Sequence, residues 1–161
     1  MRSRLFTGVL ALASILAASP TPAQAPTDID SLAVAFREAL AASDVPGLRR
    51  FFADTVRFEG DTRFVGGRER LGQVVVTRDQ LAQAYTRLFA DAGRAEWSEL
   101  IGALRSTLQR AARDGQPPLA SAGDYVYTLT QPGRSGPDDS LVFIFRRIED
   151  RWRIVAHWAD Y

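Results

Sequence analysis

The chain has 161 residues, 46% of them hydrophobic and 24% charged, with 20 basic residues against 19 acidic ones. All the basic residues are arginines and there is no cysteine, which excludes disulfides, cysteine nucleophiles and side-chain Schiff bases. A single histidine leaves no metal-ligand set, and the near-neutral balance argues against a nucleic-acid partner.

Arg2 and Arg4 precede an apolar run from Leu5 to Ala18, too short to span a bilayer and broken by Pro20-Thr21-Pro22. The pattern predicts a secretory signal peptide over residues 1–25. Cleavage after Ala25, in Ala23-Gln24-Ala25, would place Pro26 just past the cut, so Ala23 is a competing site; a retained N-terminal anchor is the alternative. No cysteine follows to carry a lipid. The expected product is a periplasmic or secreted domain, 26–161, with no integral membrane segment after processing. Without Arg2 and Arg4 the balance is 18 basic against 19 acidic residues. About 136 residues can bury roughly two thirds of their unfolded surface as one domain.

Asp28 is a candidate N-cap for a first helix reaching about Ala42, whose Ile29, Leu32, Ala33, Phe36 and Leu40 recur along one face. Ser43-Asp44 caps a shorter helix carrying Leu48, Phe51 and Phe52. Val56 to Glu59 alternates as a strand closing at Gly60-Asp61, and Phe64-Val65 and Gln73–Val76 are strand-like around Gly66-Gly67. Thr77-Arg78-Asp79-Gln80 fits a capping box, followed by Leu81, Ala84, Tyr85, Leu88 and Phe89 at helical spacing until Gly93. Trp97, Leu100, Ile101, Leu104, Leu108, Ala111 and Ala112 extend a 3.6-residue period, predicting a fourth helix over 96–113 rather than a long strand. Asp124 starts a strand from a Gly-Asp turn and runs to Leu129. A loop over Gln131–Asp139 then leads to a terminal hairpin, Leu141 to Tyr161, turning at Glu149-Asp150.

With that turn, residues whose numbers sum to about 299 lie opposite one another. One face then carries Leu141, Phe143, Phe145, Trp152, Ile154, Ala156 and Trp158; the other carries Val142, Ile144, Val155 and His157, with Arg146 and Arg153 near the turn. Both faces are apolar and both require cover. The pairs Arg49-Arg50 and Arg146-Arg147 read as solvated positions.

Two helices, a strand, a helix and an antiparallel meander ending in Trp152-Arg-Ile-Val-Ala-His-Trp158 resemble the nuclear transport factor 2-like superfamily over Asp28 to Tyr161. Phe36-x-x-Ala-Leu-Ala-Ala-Ser-Asp44, Leu48-x-x-Phe-Phe-Ala-Asp54 and Phe58-Glu-Gly60 are similar to its opening motifs. The resemblance implies an α+β fold: a curved antiparallel sheet wrapped around N-terminal helices, a cystatin-like roll, enclosing a conical pocket. The helix at 96–113 departs from that pattern, which has a strand there.

Members of the superfamily include isomerases, dehydratases, epoxide hydrolases, SnoaL-like cyclases and non-catalytic domains. The resemblance implies that the ketosteroid isomerase set, a tyrosine and two aspartates, would fall by the motif register on Phe36, Gly60 and Val142, so that set is absent. Scytalone dehydratase chemistry requires two histidines. An epoxide hydrolase arrangement of two carboxylates and an arginine is permitted by composition, with no local motif for it.

Three functions follow as expectations. The first is ligand binding, without a cofactor: a small apolar or amphipathic molecule in the cone, lined by Phe36, Phe58, Tyr127, Val142, Ile144, Val155 and His157. The second is a lyase, isomerase or hydrolase pairing His157 with Glu59 or Asp61. In the third, Phe143, Phe145, Trp152 and Trp158 form a homodimer face. Asp160-Tyr161 is either a frayed end or part of the pocket rim.

Overall fold

A computed structural model of the chain describes residues 28–115, 118–133 and 140–159. The expected signal peptide, Asp160-Tyr161 and most of the 131–139 loop lie outside them.

Local signals account for the helices. In α1 (Ile29–Ala41), the Asp28 carboxylate accepts from the Ser31 N–H at 2.8 Å, and the predicted stripe from Ile29 to Leu40 is buried. Asp44 caps α2 (Val45–Arg49), accepting from the Gly47 N–H at 3.0 Å. Phe52, expected on that helix, instead opens β1 (Phe52–Gly60). It stays buried there, because it stacks on Tyr85 at 6.0 Å.

Gly60 closes β1 with φ +130°; a Cβ there would lie 1.8 Å from the Ala159 carbonyl oxygen, so the strands meet only because the side chain is absent. Phe64-Val65 is not a strand. Asp61 caps a 3-10 turn over Thr62–Val65, which Gly66 ends in a left-handed conformation.

After β2 (Gly72–Thr77), α3 (Arg78–Ala92) begins with the predicted reciprocal cap: Gln80 N–H donates to Thr77 Oγ1 and Thr77 N–H to Gln80 Oε1. Thr77→Ala is expected to cost about 1 kcal/mol, measured as a lower urea midpoint with unchanged slope. An unchanged midpoint would mean the cap contributes nothing to folding.

The fourth helix is half the predicted length. α4 (Arg94–Ala103) ends where Arg37, from α1, donates to the carbonyls of Ile101, Gly102 and Leu104 at 3.1, 3.3 and 2.8 Å. A cation from a distant helix thus satisfies the terminal carbonyls, and Arg105–Arg110 become β3, paired with β4 (Tyr125–Thr130). Leu104 and Leu108 fit the helical period, but cross-strand partners outweigh that local preference.

β5 (Ser140–Ile148) and β6 (Arg151–Ala159) complete an α+β fold with one curved six-stranded sheet ordered β2-β1-β6-β5-β4-β3. The sheet is mixed, because β1 runs parallel to β6 while the other pairings are antiparallel. All four helices pack against one face. On the other, residues 111–115 and 118–123 fold back over β4, β5 and β6, placing Ala111 and Ala120 against Val126, Ile144 and Ala156.

Candidate functional site

The hairpin changes register midway. From Ile148↔Arg151 to Phe145↔Ile154 the paired numbers follow the predicted register, but the next pairs are Ile144↔Ala156, Phe143↔His157 and Val142↔Trp158. Val155 is the extra residue, a β-bulge on β6. Because side chains alternate with period two, one inserted residue inverts every position beyond it.

Ala156 and Trp158 therefore lie on the outer face with Val142 and Ile144, while His157 turns toward the helices beside Phe143 and Phe58. This corrects the predicted sorting of the last three positions. It also divides the seven predicted ligand residues: Phe36, Phe58, Tyr127 and His157 face the helices, and Val142, Ile144 and Val155 face outward.

On the helix side, the space expected to be a cone is occupied by aromatic side chains. Phe36, Phe52, Phe58, Tyr85, Phe143 and Phe145 are fully buried there. Phe36 meets Phe51, Tyr127, Phe143 and Phe145 edge-on, with centroids 5.4, 6.3, 4.7 and 5.9 Å away. Of the residues expected to form a dimer face, Phe143 and Phe145 lie in this core and Trp152 packs on Tyr125 at 5.3 Å. Of that set, Trp158 alone is on the outer face.

His157 is fully buried and stacked on Phe143 at 4.2 Å. Its Nδ1 lies 3.0 Å from the Val142 carbonyl and its Nε2 3.0 Å from the Tyr85 hydroxyl. A carbonyl only accepts, so Nδ1 carries the proton and Nε2 of the neutral ring accepts from Tyr85 O–H. Burial pushes the imidazole down to about 4, against a smaller upward effect of the Val142 carbonyl.

Neither predicted catalytic carboxylate is beside it. Glu59 is on the outer face, paired in register with Trp158, and accepts from Gln73 at 2.9 Å. Asp61 accepts from Arg63 Nε at 2.8 Å, and that hydrogen bond holds its carboxyl down to about 2.

Two openings on the outer face adjoin one another. One is a groove of about 920 Å³ whose lining includes Arg57, Arg78, Arg151, Arg153, Thr55 and Ser121. The other is a cleft of about 290 Å³ whose lining includes Val126, Thr128, Val142, Ile144 and Trp158, together with Glu59, Gln109, Arg110 and part of His157. Leu119, held at φ +71°, lines both and marks where they meet.

The folded-back segment is fastened at its base. Arg146 donates through Nε and one terminal nitrogen to Asp124 at 3.0 and 2.8 Å, and to Ser121 Oγ at 2.7 Å. Arg146 was expected to be solvated, and Asp124 to be only a turn residue. Asp124 is buried, and its carboxylate raises Arg146 above its ordinary value. Sequence reasoning also missed Arg57, Arg151 and Arg153. A signal for them existed: Arg57 stands between Val56 and Phe58, and Arg151 and Arg153 flank Trp152, so each arginine alternates with core residues.

No family model matches the chain, and no curated protein matches it. Solved structures similar to it include an NTF-2 like protein of unknown function from Shewanella oneidensis, 16% identical over 82% of this chain and 96% of its own, with a TM-score of 0.44. A protein of unknown function with a cystatin-like fold from Nostoc punctiforme is 17% identical over 81% of this chain and 85% of its own, with a TM-score of 0.45. A DUF3225-family protein of unknown function from Pectobacterium atrosepticum is 16% identical over 81% and 85%, with a TM-score of 0.47.

Proposed function

We propose that this chain is an exported, non-catalytic binding domain that holds a small apolar or amphipathic ligand against the outer face of its sheet. The observation that carries this reading is the cleft of about 290 Å³ between the folded-back segment and the sheet, with Val142, Ile144 and Val126 as its floor and Trp158 at its side. Its size is at the lower end of ligand pockets, roughly 300–1,000 Å³. The arginines and apolar run that precede Ala25 support export. Catalysis by His157 with Glu59 or Asp61 is not favoured: the ring is fully buried, one carboxylate is across the sheet and the other is committed to Arg63.

Octanol, with an apolar tail and one hydroxyl, is a suitable probe. Titrating it into the purified protein should change tryptophan fluorescence through Trp158, and the change should vanish in Trp158→Phe. At about a hundred times Kd, binding adds roughly 2.7 kcal/mol to stability, a melting rise of roughly 10 °C for a chain of this size. Thr128→Trp, which fills the cleft from a half-buried position, should abolish both responses while the protein still melts cooperatively. No response from the unmodified protein to octanol or its longer homologues overturns the reading.

A further inference from the structure

The groove beside the cleft has a charge the rest of the chain does not lead one to expect. Five arginines, Arg57, Arg78, Arg146, Arg151 and Arg153, line it against two acids, Asp54 and Glu149. Overall the sequence is nearly neutral, so the excess is local.

Two of the five are already engaged, Arg78 with Asp54 and Arg146 with Asp124. Arg153 donates to the Arg50 carbonyl through one nitrogen. Burial holds it below its ordinary value, with Arg151 and Arg78 nearby acting the same way and Asp54 acting against them. Among the described residues, neither the Arg57 nor the Arg151 guanidinium is hydrogen-bonded to a carboxylate or carbonyl.

The cationic wall and the apolar cleft are continuous. Arg57 and Glu59 are two residues apart on the same face of β1, roughly 7 Å, and their partners on β6 are Ala156 and Trp158. Glu59 is held to the β2 side by Gln73. A molecule lying along β6 would thus have its tail beside Trp158 and its head beside Arg57.

We infer that the ligand is an anionic amphiphile, a short apolar chain ending in a carboxylate or phosphate, whose head is bound by Arg57, Arg151 and Arg153 while its tail occupies the Val142–Ile144–Trp158 cleft. The inference rests on the binding reading above and adds the head group. Guanidinium forks match either oxyanion with paired hydrogen bonds. Octanol, octanoate and octyl phosphate share a tail and differ only in the head, so comparing them isolates its contribution.

Calorimetric titration of the purified protein should find at least one of the two anions bound roughly ten- to a hundredfold more tightly than octanol. The tighter of the two identifies the head group. In the double variant Arg57→Gln, Arg151→Gln, both positions being exposed, that preference should fall to about twofold or less with octanol affinity unchanged, and raised salt should weaken the anion in the unmodified protein only. Equal binding of all three overturns the head-group inference and leaves the cleft reading standing, as does an anion preference that persists in the double variant. Binding of none overturns both.

Discussion

Phe36→Ala is expected to lower the folding free energy by about 3–5 kcal/mol, a fall in melting temperature of roughly 10–20 °C. Phe36 is fully buried and its ring touches four other aromatic rings, two of them on β5 at the middle of the sheet. Truncation removes burial of the ring and leaves a cavity bounded by strands that are hydrogen-bonded on both sides and cannot collapse into it. The loss of the four edge-on ring contacts is contained in that figure. Phe36→Leu, which keeps most of the volume, should cost roughly 1–2 kcal/mol. Urea unfolding of the three proteins measures this directly. A loss under about 1 kcal/mol for alanine would mean that the helix side of the sheet is not a packed core. It would revive the cone as the ligand's place. Octanol binding on the outer face should survive Phe36→Ala at temperatures where the variant is folded.

Acid is expected to destabilise the protein in a window set by His157. In the unfolded chain the imidazole titrates near its ordinary 6.5, and in the folded protein burial pushes it down to about 4. A proton therefore binds the unfolded state first. Stability is level above pH 6.5, falls as pH drops from 6.5 toward 4, and is lower by roughly 3 kcal/mol at the bottom of that range. The carboxylates act lower. Asp61, held down to about 2 by Arg63, contributes stability that is lost only as pH falls from 3.8 toward 2.

The two windows separate, so urea midpoints measured between pH 7 and pH 4 isolate the histidine. In His157→Gln the slope over this range should flatten, although the variant starts less stable because its amide fits the Tyr85 and Val142 partners imperfectly. A slope equal in both proteins would show that the imidazole is accessible to protons when folded, and with it that His157 is not locked in the core.

Much of the fold was legible because its signals are local. Asp28, Asp44 and Thr77 cap helices, the apolar stripes of the first and third of these are the ones that pack, and the 149–150 turn forms the hairpin. A cap acts over three residues and a stripe over four, so neighbours in sequence suffice to specify them. Where the expectation failed, a distant residue had intervened. Arg37 ended α4 across some sixty-five positions, and β4 drew Arg105–Arg110 out of a helical period.

The candidate site was legible in composition and not in place. The terminal hairpin, apolar on both faces, was expected to need cover on both, and it lies at the middle of the sheet with helices on one side and residues 118–123 on the other. Which way those side chains point depended on Val155. No local feature of Ile154-Val155-Ala156 announces a bulge, and a strict alternation through it assigns His157 to the wrong side.

By itself, then, the sequence determined the α+β class, the helix starts, the hairpin and its turn, and the absence of thiol and lysine side chains. Tertiary structure alone decided that the cone is filled, that the histidine is a neutral core residue bonded to Tyr85, and that the open surface with its arginines is the opposite face. The reason is the period of a strand. Local chemistry specifies that a segment alternates, but the phase is set by partners far away in sequence, and one extra residue in β6 exchanges inside for outside.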